Sequence, residues 1–182
     1  MLFSFDLIEQ MYYDILYMEL EKTICFTGHR NSHLPWRGYE IGEQFKNFKI
    51  RLKNAIKENI TKGYKYFLSG MAIGTDMIFS ELVLELRKEY DIKLICVLPF
   101  SGMDNLWERN TRERYKNILN NADEVISLSE TYSKSSFMIR NKYMVNNSSK
   151  VIACFGNFAG GTLNTINYAR KLGKEIEFVS LY

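Results

Sequence analysis

The sequence predicts an α/β domain of Rossmann-like build, with a mainly parallel sheet covered by helices on both faces. Short apolar runs alternate with longer segments whose apolar residues recur every three or four positions. The runs lack polar alternation, as strands buried on both sides do. The loops that follow three of them are rich in Gly, Thr, Ser, His and Arg. Regular alternation of this kind favours parallel strands joined by helical crossovers. A chain of 182 residues is long enough to bury a sizeable core as one domain.

Each element has its own signal. Residues 1–21 carry Phe5, Ile8, Tyr12, Ile15 and Leu16 on one helical face, which predicts an amphipathic extension ahead of a domain at 22–182. Asp6, Glu9, Asp14 and Glu19, with no basic start and no small-residue cleavage site, argue against a signal peptide. The apolar face suits the core or another protomer, so a homo-oligomer is one expectation; Met18 is an alternative start. Residues 23–27 read as a strand ended by Gly28. Ile41, Phe45, Phe48, Leu52, Ile56 and Ile60 mark a helix that Gly63 stops. Residues 64–68 form the next strand, 69–74 a glycine-bearing turn and 75–89 a mostly buried helix. A continuous apolar strand at 92–98 is closed by Pro99. Trp107, Tyr115, Ile118 and Leu119 belong to a charged helix at 105–121. A short strand at 124–128 precedes a helix at 133–147 that opens on capping-type serines. The strand at 151–155, the helix at 162–172 with Gly173 at its end, and the strand at 176–179 complete the pattern.

Composition narrows the function. The formal charge of +3 argues against a nucleic-acid groove, and Arg109, Arg112, Arg114 and Lys116 read as a solvated helix face. No run is long and apolar enough to span a membrane. Cys25, Cys96 and Cys154 sit far apart inside apolar runs, which suits buried thiols in a reducing, cytoplasmic compartment. No CxxC or Cys/His spacing is present, so neither metal nor cofactor is expected.

In folds of this class ligands bind at the carboxyl ends of the strands. The first loop there is Thr27-Gly28-His29-Arg30. Its glycine permits a sharp turn, Arg30 offers a planar fork to phosphate, and His29 offers a hydrogen bond to phosphate or ribose. The second is Ser69-Gly70-Met71-Ala72-Ile73-Gly74-Thr75-Asp76, a strand-to-helix turn whose free N–H groups suit an anion. Asp76 suits ribose hydroxyls or the helix start equally well. No lysine follows Gly74, so this is not a P-loop. The third is Ala159-Gly160-Gly161-Thr162-Leu163-Asn164-Thr165, a phosphate nest in outline. Arg140 and Asn141 lie on the helix before it.

Read in order, Thr27-Gly28-His29-Arg30, Leu34-Pro35-Trp36, Ser69 to Asp76, Arg140-Asn141-Lys142-Tyr143-Met144-Val145, and Gly161-Thr162 with Asn164-Thr165 resemble the SLOG superfamily and, within it, the YpsA-like family. The resemblance covers about residues 22–182. It implies a Rossmann-like fold that binds nucleotides or NAD-derived molecules such as ADP-ribose, as a sensor or as a sequestering protein of phage or prophage. A more distant relative is the lysine-decarboxylase-like phosphoribohydrolase branch, which carries a glutamate after its glycine-rich run. Here Leu163, Asn164 and Thr165 follow instead, so no catalytic residue is expected and nucleoside-monophosphate hydrolysis is the alternative reading. Another is the DNA-processing protein A family, which implies single-stranded DNA binding as a second alternative. The leading expectation is a nucleotide-type small molecule bound without chemistry by Thr27, Gly28, His29, Arg30, Ser69, Gly70, Met71, Gly74, Asp76, Arg140, Asn141, Gly160, Gly161, Thr162, Asn164 and Thr165.

Overall fold

The computed structural model describes residues 20–156 and 158–182, so the helix expected ahead of residue 20 lies outside the described residues. Leu20–Lys22 is a 3-10 turn leading into the first strand. Six strands follow: β1 (Thr23–Gly28), β2 (Tyr66–Ser69), β3 (Lys93–Leu98), β4 (Glu124–Ser127), β5 (Lys150–Cys154) and β6 (Glu175–Phe178). Five helices connect them: α1 (Gly42–Thr61), α2 (Thr75–Leu86), α3 (Arg109–Asn121), α4 (Ser136–Asn146) and α5 (Gly161–Lys171). Every strand pairing is parallel, in the order β4-β3-β2-β1-β5-β6. Among the described residues no helix is long and apolar enough to cross a membrane.

Alternation along β1 divides the core. Ile24 and Phe26 face a large cluster with α1, α2 and α3, whereas Cys25 faces a smaller one with Met144 and Val145 of α4 and Ala169 of α5. Period-two geometry sends successive side chains to opposite faces, so both faces of β1 are apolar. The α1 residues Phe45, Phe48, Leu52, Ala55, Ile56 and Asn59 are buried, a three-and-four stripe. All three cysteines are buried free thiols.

Two helices start later than their sequence pattern. The third begins at Arg109 because residues 101–107 fold as turns, with Gly102 at φ 73° and Asn105 and Trp107 donating back to Gly102 and Asp104. The fourth begins at Ser136, whose hydroxyl accepts the Ser133 N–H at 2.8 Å.

Strand order decides where a ligand can sit. The chain steps outward from β1 to β4, then crosses back to place β5 on the other side of β1. The crossovers on either side of the β1/β5 pair therefore diverge and leave a crevice beyond the strand ends. Gly28, the last residue of β1, is in register with Cys154, the last of β5.

Candidate functional site

A cleft of about 300 Å³ opens at that crevice. Thr27, Gly28, His29 and Arg30 form one wall, Gly160, Gly161 and Thr162 another, and Phe137, Arg140 and Asn141 of α4 a third. From the second loop only Ala72 and Asp76 reach it. Three loops far apart in sequence thus converge on one hollow.

The second loop mostly supports the others. Ser69 and Met71 are fully buried, and the Ser69 hydroxyl meets Ser80 at 2.8 Å and the Asp76 carbonyl at 3.2 Å. Gly74 has φ 113°, and a Cβ there would lie 2.7 Å from the His29 carbonyl oxygen. That same carbonyl accepts both the Thr75 hydroxyl, at 3.1 Å, and the Thr75 N–H, at 3.2 Å. The start of α2 is therefore stitched to the first loop. Gly70 lies beneath the Arg140 guanidinium, which donates to its carbonyl and occupies the space a Cβ would take. Ser69, Gly70, Met71 and Gly74 do not line the cleft.

The α5 terminus differs. Gly160 has φ 140° and ψ −160°, a conformation essentially confined to glycine, and apart from its chain neighbours no atom of the described residues lies within 4 Å of where its Cβ would be. A Cβ on Gly161 would touch only the Asn141 amide, 3.9 Å away. This open turn presents the first N–H groups of α5 and the positive end of its dipole to the cleft. Thr162 anchors it: its hydroxyl donates to the Gly28 carbonyl at 2.9 Å. Asn141 accepts from Arg140 Nε at 2.7 Å and donates to the Thr165 hydroxyl at 2.9 Å. Asn164 is exposed and, with Thr165, faces the neighbouring groove instead of the cleft.

Two guanidinium groups, of Arg30 and Arg140, line the cleft with Asp76. Arg140 is only 4% exposed, and burial pulls its guanidinium below the ordinary arginine value. Arg30 is exposed at the mouth, 5.2 Å above the Phe137 ring. Asp76, 6% exposed, is the one carboxylate lining the cleft among the described residues. Burial raises its pKa from 3.8 to about 6, against the opposing pull of Arg140, the Ala72 N–H and Arg30. His29 Nε2 accepts the Gly156 N–H at 2.9 Å, which assigns the proton of the neutral ring to Nδ1. Burial and His33 both lower the His29 pKa, so the neutral form persists.

A family model described as the YspA SLOG family matches residues 24–178. The chain belongs to the YpsA family of SLOG domains. This SLOG domain is 35% identical over 137 residues to the SPbeta prophage-derived protein YoqJ of Bacillus subtilis (strain 168), across 68% of the chain and 80% of that protein. It is 27% identical over 166 residues to a UPF0398 protein of Bacillus thuringiensis (strain Al Hakam), with 86% of each covered. Among solved structures it resembles DNA processing protein A from Streptococcus pneumoniae, with a TM-score of 0.62 and 20% identity over 91% of this chain. The SLOG domain spans about half of that protein, 51%. The Helicobacter pylori DNA processing protein A, studied for its single-stranded DNA binding mode, superposes with a TM-score of 0.60 and 20% identity over 90% of this chain and 67% of that one. Identity at that level speaks to the fold alone.

Three features of the site are not visible in the loops alone. Phe137 precedes Arg140 by one helical turn, so the i, i+3 rule would have placed it on the same face. Thr75 looks like an ordinary helix-start threonine until its bond to His29 is seen. The Phe155, His29, Phe158 and His33 rings pack in sequence with centroids 5.1–5.6 Å apart, and only folding brings the two loops together.

Proposed function

We propose that this SLOG domain binds a nucleotide of NAD-derived or other adenine type in the β1/β5 cleft, as a sensor or a sequestering protein, without altering it. The observation that carries the reading is Arg140: a guanidinium buried beside an open glycine turn at a helix N-terminus. A buried cation facing unfilled N–H donors suits a phosphate-bearing ligand. Asp76 and the Nδ1–H of His29 supply an acceptor and a donor of the kind ribose hydroxyls use.

Isothermal calorimetry and thermal shift with ADP-ribose and NAD test it. A ligand at 100 times its Kd stabilises the fold by about 2.7 kcal/mol. Arg30→Ala, at the exposed mouth, removes a charge-assisted contact worth about 1.5–3 kcal/mol of binding and leaves the fold intact. Heat from a single-stranded oligonucleotide, with none from any nucleotide, would replace this reading with the DNA one.

One observation favours a second reading. A buried carboxyl with a pKa near 6 is poised to act as a general acid. In a phosphoribohydrolase, Asp76 would protonate the departing base. Chromatography after long incubation with AMP separates the two: intact AMP supports binding alone, and adenine release that disappears in Asp76→Asn supports the enzyme.

A further inference from the structure

A second hollow of about 510 Å³ runs between α4 and α5 and shares Phe137, Asn141 and Gly161 with the cleft. Met138 and Lys142, one turn apart on α4, and Lys134 from the turn before it line one side, and Asn164 and Lys171 of α5 line the other. Phe137 and Tyr168 add aromatic surface, with the Lys142 ammonium 5.4 Å from the Tyr168 ring centre. Among the described residues, Lys134, Lys142 and Lys171 line it and no acidic residue does. The open turn at Gly160–Gly161 lies at the boundary between the two hollows.

The geometry points to a two-headed ligand: a dinucleotide whose first nucleoside fills the β1/β5 cleft, whose diphosphate crosses Gly161, and whose second, phosphate-bearing half lies in the α4–α5 groove. This rests on the nucleotide-binding reading and specifies its ligand class. Continuity supplies the path, because Phe137, Asn141 and Gly161 face both hollows. Charge complementarity supplies the occupant: lysines around a flat apolar surface suit a ring that carries an anion, and none of the described lining residues is acidic. A mononucleotide reaches only the first hollow.

The test compares nicotinamide mononucleotide, which probes the cleft, with NADP, whose 2′-phosphoadenosine half lies in the groove, by isothermal calorimetry. NADP binds at least tenfold more tightly than the mononucleotide to the unaltered chain. In the Lys142→Ala/Lys171→Ala double variant that advantage falls to about threefold or less, with mononucleotide affinity within twofold of its starting value. Equal affinities for the mononucleotide and NADP, unmoved by the double variant, overturn the groove assignment and leave the nucleotide-binding reading standing. Heat from neither probe overturns both. Sedimentation velocity adds a separate outcome: a dimer that the double variant dissociates assigns the groove to a second copy of the chain and overturns the proposal.

Discussion

At the scale of single residues the cleft holds a carboxyl that folding disfavours as an anion. Burial raises the Asp76 pKa from 3.8 to about 6. A carboxyl raised in this way favours the fold while protonated, so its contribution is present below pH 3.8 and is lost as pH rises through about 6. An asparagine side chain is a neutral mimic of the acid, so Asp76→Asn stabilises the unliganded protein at pH 8 by up to about 3 kcal/mol, at about 1.4 kcal/mol per pKa unit. The gain shrinks as pH falls from 6 to 4. Urea denaturation across that range checks it, and a gain independent of pH would remove the titration argument. The Asp76 carboxylate, in the first turn of α2, accepts the Ala72 N–H of the preceding turn at 3.3 Å while lining the cleft, and no side chain caps the helix start at Gly74.

At the scale of elements, two glycine turns that look alike in sequence do different work. The turn before α2 is full: the Gly74 Cβ position lies 2.7 Å from a backbone oxygen, at φ 113°. The turn before α5 is empty around Gly160 and nearly so around Gly161. Gly74→Ala is therefore a stability variant, costing about 1–3 kcal/mol from the backbone conformation with the clash added. Gly161→Val is a binding variant, with a melting temperature within a few degrees of the parent and nucleotide affinity lowered at least tenfold. Thermal melts and calorimetry on the pair separate them; the reverse pattern would move the phosphate site to α2. Glycine spacing alone treats the two turns equally, because the difference lies in which foreign backbone approaches each.

At the scale of the whole molecule, the three arginines of the basic helix face are paired with carboxylates of the same chain. Arg109 pairs with Glu113 at 2.8 Å and Arg112 with Asp104 at 3.4 Å. Arg114 grips Glu81 through two nitrogens at 2.6 Å and Glu40 through a third at 2.6 Å, joining α3 to α2 and to the segment before α1. Arg114→Ala thus lowers stability by about 1 kcal/mol, since these partners remain partly exposed. It leaves affinity for a thymidine oligonucleotide at about 150 mM salt, a physiological ionic strength, no weaker than before. A fluorescence anisotropy titration in which that variant loses oligonucleotide binding would restore the helix as a DNA face.

Local rules were enough for the parallel α/β architecture, the strand and helix order, and the placing of the first and third loops at the carboxyl ends of strands, where they wall the cleft. Each depends on periodicity or turn chemistry within a dozen residues. The strand order depends on pairing between segments over a hundred residues apart, and it is this order that puts Gly28 beside Cys154 and opens the cleft there. The same long-range packing buries Ser69 and Met71, lays Arg140 over Gly70, and turns Asn164 toward the α4–α5 groove. A loop's composition specifies which groups it can offer to a ligand. Whether those groups meet the ligand or another part of the chain is settled by which backbone folds against them, and that is a property of the tertiary structure.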